Sequence, residues 1–195
     1  MPTSTSIDTG RIEAAVTELL LAIGEDPHRE GLTQTPQRIA EAYADFFAGV
    51  SADPQQHLTD TVGVGDETGE LVLLRDIEFR SMCEHHLLPF IGVAHIAYLP
   101  GDRVVGLGKL PRVVETLSSR PQLQERLTEQ IADALDQGLA PRGVLVVLDA
   151  RHSCVTARGT RQSQSTTLTM ASRGVLTDPV SRAEVVALIG GRDDG

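Results

Sequence analysis

The sequence predicts an α+β fold with a mainly antiparallel sheet. Three observations carry this prediction. Apolar residues near the N-terminus recur at helical spacing. Aliphatic stretches of strand length begin at Leu71. The elements then run αα, ββααββ and a tail helix, an order that segregates helices from hairpin-connected strands. The chain has 195 residues, 41% hydrophobic, enough for one domain with a real core and an appended arm.

Each element has a local cause. Residues 1–7 are polar and read as disordered. From Asp8 to Ile23, the residues Ile12, Ala15, Val16, Leu19, Leu20 and Ile23 mark one helix face, and Gly24 ends it. Thr35-Pro36 reads as a second start, a Thr N-cap with Pro at the first helical position. Ile39, Ala40, Tyr43, Phe46 and Phe47 carry its apolar side, and Gly49 closes it. Residues 51–69 are rich in Gly and Asp without periodicity, so the arm and a linker fill 8–69. The main domain is expected over 70–195.

In that domain, strands are expected at Leu71–Phe79 and Phe90–Leu99, with a turn at Pro100-Gly101-Asp102. Residues 109–139 read as two helices split at Arg120-Pro121, the proline opening the second. Arg142–Asp149 is a buried strand by composition, and Ser163–Ser172 a fourth strand. Asp178-Pro179 caps a last short helix, which fades into residues 190–195.

Composition excludes several classes. Net charge is -10, which argues against nucleic acid or an anionic membrane as partner. No run approaches the ~18 apolar residues of a membrane span. The N-terminus lacks the apolar region of a signal peptide, so cytoplasm is the expected compartment. Aromatics are only 3%, so the core must be aliphatic.

The two cysteines each sit in a histidine-bearing patch, Cys83-Glu84-His85-His86 and His152-Ser153-Cys154. Thiolate and imidazole together are a zinc donor set. Cys83 and His86 have the C-x-x-H spacing that converges on one metal, and Cys154 offers a third ligand. Three protein ligands leave zinc an open position for water, whose pKa falls towards neutrality. His85 and His152 then remain as proton carriers near that water. His28, His57 and His95 read as surface or packing residues. Lys109, Arg112, Arg158, Arg161 and Arg38 form a cationic set that suits a polyphosphate. In the helix after Pro121 are Gln122, Gln124, Glu125, Glu129 and Gln130, one of whose carboxylates can read a guanine edge.

These strings resemble a known family. Cys83-Glu84-His85-His86, Gly106-Leu107-Gly108-Lys109-Leu110-Pro111-Arg112, Arg120–Leu127, and His152-Ser153-Cys154-Val155-Thr156-Ala157-Arg158-Gly159 are similar to GTP cyclohydrolase I. So are Ile23–Leu32 and Thr35-Pro36-Gln37-Arg38, and the resemblance runs from about residue 9 to 189. It implies a tunnelling fold, an antiparallel sheet with helices on one side after a helical arm. It implies a homodecamer with active sites between subunits. It implies Zn2+ on Cys83, His86 and Cys154, with His85 and His152 catalytic. Glu125 holds the guanine edge, with Gln124 also in the substrate-binding set. Lys109, Arg112 and Arg158 hold the triphosphate, with Arg38 from an adjoining subunit. The implied reaction turns GTP and water into 7,8-dihydroneopterin triphosphate and formate.

Gly108 stands where the family usually has serine, and Leu176 where an aromatic is common. Two alternatives stay open, the first of them motivated by Gly108. One is a paralogue that opens GTP but releases a different product. The other, from another class, is a catalytically silent, zinc-stabilised assembly protein.

Overall fold

The computed structural model describes residues 7–64 and 70–191. Residues 1–6, most of the stretch expected to be disordered, lie outside that range, as do 192–195 of the tail. The arm consists of α1 (Thr9–Ala22) and α2 (Thr35–Phe46), which pack on each other. Asp8 caps α1 by accepting from Arg11 N at 3.0 Å. The N-cap of α2 is Gln34, one residue earlier than expected, because Thr35 turns its hydroxyl back to Gly31 O at 3.4 Å. The arm is fastened at its far end. Arg80 pairs with Asp45 and lies 4.9 Å above the Phe46 ring. Gly49 N donates to Ser119 O at 2.9 Å, so close that a Cβ there would strike Thr116 O.

Residues 51–64 are more ordered than expected. A short 3-10 helix spans Pro54–His57, and β1 (Thr61–Gly63) pairs antiparallel with β4 (Arg103–Val105). Strands this short carry no alternation for a sequence pattern to reveal. The main sheet holds β2 (Val72–Cys83), β3 (Pro89–Leu99), β5 (Pro121–Gln122), β6 (Gly143–His152) and β7 (Thr167–Gly174), in the order β5-β2-β3-β6-β7. All pairings are antiparallel except β2 with β5. Pro121 therefore extends the sheet edge instead of opening a helix, and β7 begins four residues later than the expected Ser163. Edge positions tolerate proline because no ladder donor is needed there.

Alternate residues divide the sheet into two faces. Ala94, Ile96, Tyr98, Val144, Val146 and Leu148 face α3 (Lys109–Ser118) and α4 (Gln124–Leu139), which supply Leu110, Val113, Leu127, Ile131 and Leu135. That core is mostly aliphatic, as composition demands. On the opposite face Ala97, Leu145 and Val147 meet Leu176 and Val185 of the tail. The central helices thus lie on one side as expected, while α6 (Pro179–Gly190) covers part of the other. No helix among the described residues is long and apolar enough to cross a membrane.

Candidate metal and substrate site

Strand register assembles the site at one end of the sheet. Phe90, near the start of β3, pairs with Ser81 on one side and His152 on the other. The C-terminal ends of β2 and β6 therefore flank it. Cys83 is the last residue of β2. Beyond His152 the chain turns into α5 (Ser153–Thr156), which carries Cys154 back over the sheet end. The strand runs three residues further than the expected Asp149, which is what brings Cys154 close. Cys83, Cys154 and one nitrogen of His152 lie within 4.8 Å of one another.

Two thiols and an imidazole at this spacing suit a tetrahedral zinc ion, whose donors sit at about 2.0–2.3 Å. Burial pushes the Cys154 thiol up, and the Cys83 thiol beside it pushes further, against a smaller opposing pull from Arg158. Two thiols so placed resist ionising together, and a dication between them is what stabilises two thiolates.

The imidazole in this cluster is His152, not His86. His86 sits exposed in the turn after β2, with His85 edge-on at 6.2 Å between ring centroids. The turn is closed by Leu87 N donating to Cys83 O at 2.8 Å, with Leu87 itself at φ 49. A non-glycine residue in that region is held by its surroundings and often marks a functional turn. Here the brace is Glu84, which accepts two hydrogen bonds from Arg126 of α4, at 2.7 and 3.1 Å. Neither Glu84 nor Arg126 stands out in the sequence.

His152 is half-buried and stacked flat on the buried Phe90 ring, 4.5 Å away with planes 4° apart. Burial pulls its pKa down, and the charge of Glu125 pulls it back up. Its Nε2 lies 2.7 Å from Gln124 Oε1. Glu125, in the first turn of α4, faces a cavity of about 460 Å³ with Arg126, Glu129, Thr169 and Met170. Gln124 does not share that cavity lining. It is 1% exposed and points into the sheet. Adjacent residues on a helix leave in different directions, so the two neighbours serve different sides.

The cations fall in separate places, with Arg158 beside the cluster. Lys109 and Arg112 line a second cavity, of about 240 Å³, with Gly106, Leu107 and Gly108 at the start of α3. Lys109 Nζ is 3.9 Å from Asp60. Gly108 has ordinary helical angles, and a Cβ there would meet nothing within 4 Å, so the space for a serine is present. Arg158 lies close enough to Cys154 to affect its charge. Arg38 stays on the arm, where its guanidinium donates to Gln34 Oε1 at 2.7 Å. The histidines expected to be bland are so: His57 Nε2 bonds Thr116 Oγ1 at 2.8 Å, and buried His95 accepts from Asp76 N at 3.2 Å.

Known proteins resemble this chain over most of its length. The family model described as GTP cyclohydrolase I matches residues 12–190. A protein of Leifsonia xyli named GTP cyclohydrolase 1 is 60% identical over 186 residues, covering 95% of this chain and 97% of its own. Proteins of the same name from Rhodopirellula baltica and a Geobacillus species are each 55% identical, covering 94% and 93% of this chain and 80% and 96% of their own. A match over nearly the whole length, through both cysteine patches and the arm, means that the chain belongs to the GTP cyclohydrolase I family.

Proposed function

We propose that the chain is a zinc-dependent GTP cyclohydrolase I, converting GTP and water to 7,8-dihydroneopterin triphosphate and formate, the first step of tetrahydrofolate and pterin biosynthesis. The observation that carries this reading is the convergence of Cys83, Cys154 and His152 with Glu125 and Arg158 close by. A catalytically silent assembly protein needs a metal clasp but no carboxylate and guanidinium beside it.

Zinc, when bound, supplies a Lewis acid that brings a water close to ionisation at neutral pH. Cys83 and Cys154 would hold it as thiolates, with His86 as the third protein ligand. His152, kept neutral by burial, takes a proton as water attacks C8 of the guanine. His85 exchanges protons with the ring nitrogens freed as formate leaves. Glu125 accepts from the N1 and N2 hydrogens of guanine. Lys109, Arg112 and Arg158 bind the triphosphate, and Arg38 reaches the site of an adjoining subunit. The family resemblance gives a homodecamer, and the exposed Leu19, Leu21 and Ile23 support an interface on the arm. The compartment is the cytoplasm, where such thiols stay reduced.

A second ligand set is favoured by one observation, since it is His152 that lies beside both sulfurs. Zinc content of His86→Ala and His152→Ala separates the two. Loss of zinc in the first, with zinc kept and turnover lost in the second, supports His86. The reverse assigns the metal to His152. The reaction itself is tested by incubating the protein with GTP and Zn2+ and measuring neopterin fluorescence after oxidation. Formate release without neopterin would point instead to a different product, in keeping with Gly108.

A further inference from the structure

We propose that Gln124 is a positioning residue: it holds His152 in the Nε2-protonated tautomer and leaves Nδ1 as the ring's sole proton-accepting nitrogen. The proposal deepens the reading above, and rests on it only for the statement that His152 carries protons.

The orientation of the Gln124 amide follows from its partners. Nε2 shares its two hydrogens among three acceptors, Thr167 O at 2.8 Å, Thr169 Oγ1 at 3.1 Å and Leu148 O at 3.2 Å. Two of these are main-chain carbonyls, which only accept. Turning the amide over would set Oε1 against both carbonyl oxygens, in a place only 1% exposed, where no water offsets the repulsion. Oε1 must therefore face His152.

An amide oxygen also only accepts. At 2.7 Å from Gln124 Oε1, His152 Nε2 must carry the hydrogen. A neutral imidazole has one N–H, so Nδ1 is left with the lone pair.

The hydroxyls behind the amide fall into one consistent order. Thr128 Oγ1 donates to Gln124 O at 2.7 Å. Its hydrogen is thereby used, so the 2.7 Å contact between Thr128 and Thr169 must be donated by Thr169. The Thr169 oxygen is then free to accept from Gln124 Nε2, as the contact there requires. In this assignment each hydroxyl has an acceptor, and a connected buried network resists rearrangement. Phe90 supplies the second constraint. Stacking sets the plane of the ring, and Gln124 sets its rotation within that plane.

On this proposal Gln124 stands outside the substrate-binding set to which the family resemblance assigned it. Both amide hydrogens are held by the protein and the side chain is buried, so it acts through His152. Partners of this kind typically carry a 10–100-fold effect, about the loss expected here.

The test uses the full zinc-loaded chain with 15N-labelled histidine and a long-range 1H–15N correlation spectrum. His152 is expected to show a hydrogen on Nε2 that exchanges slowly with water. Gln124→Leu should lose that slow exchange and lower kcat about 10–100-fold, with KM for GTP within about twofold. Thr169→Val should shift both readouts in the same direction by less, and it serves if Gln124→Leu does not fold. A hydrogen on Nδ1 in the unaltered protein overturns the proposal. So does a Gln124→Leu protein with kcat intact and KM raised, which would make Gln124 a substrate contact. A His152→Ala protein that still turns over GTP would instead sink the proton-carrier role, leaving the spectrum as evidence for the tautomer.

Discussion

At Cys154, burial and the neighbouring Cys83 thiol both oppose ionisation. The thiol is thus a poor free nucleophile and a good candidate for a group that ionises only against a metal. Cys154→Ala is expected to reduce both zinc content and GTP turnover to background, measured by metal analysis and neopterin fluorescence on the same preparation. An active, zinc-free variant would remove the metal assignment. The cysteines were legible in the sequence because composition left only two and gave both histidine neighbours. The role of Gln124 was less so, although a signal existed. Gln124, Thr128, Ile131 and Leu135 share one helical stripe, and all are buried. A glutamine at the head of an apolar stripe points inward, whereas Glu125 one position on points out. Spacing paired His86 with Cys83 and left His152 as a proton carrier, because the extension of β6 and the turn into α5, which bring His152 beside the sulfurs, depend on register.

Among the elements, β3 and β6 bear directly on the site, since their pairing carries His152 beside Phe90. Gly92 of β3 makes that approach possible. A Cβ there would lie 2.0 Å from Asp149 O and 2.6 Å from Ala150 Cα, both backbone atoms that cannot step aside. Gly92→Ala is expected to cost on the order of 3 kcal/mol, read as a lower denaturant midpoint. At the tail, Asp178 caps α6 by accepting from Val180 N and Ser181 N at 3.1 and 2.9 Å. The Ser181 backbone bond leads in holding its carboxyl below the usual range. A carboxyl whose pKa is depressed by folding stabilises the fold above its unfolded pKa. That contribution disappears as pH falls through the folded value. Asp178→Ala should therefore lower Tm at neutral pH and flatten the acid side of the Tm–pH curve, with the gap to the parent closing at low pH. This cap was plain in the sequence, as Asp-Pro before an apolar run. The β1–β4 pair was not, because three-residue strands are made by their partners and not by their own pattern.

For the whole molecule, the metal site is also a clasp. Cys83 ends β2, while Cys154 follows β6, which is separated from β2 in the sheet by β3. A ligand bound to both fastens two strands that share no hydrogen bonds, and binding to the folded form alone stabilises it by mass action. At free zinc 100-fold above its Kd the gain is about 2.7 kcal/mol, and it grows with the logarithm of free zinc. Unfolding unpairs the sheet end and separates the two sulfurs, so the unfolded chain competes weakly for the ion. Chelation with excess EDTA should accordingly lower Tm, and titrating Zn2+ back should raise it without a plateau at one equivalent. Cys154→Ala should show no such dependence, since it lacks one side of the clasp. A parent protein whose Tm ignores zinc across that range would mean that the two strands are already locked without it, and that the ion contributes chemistry alone.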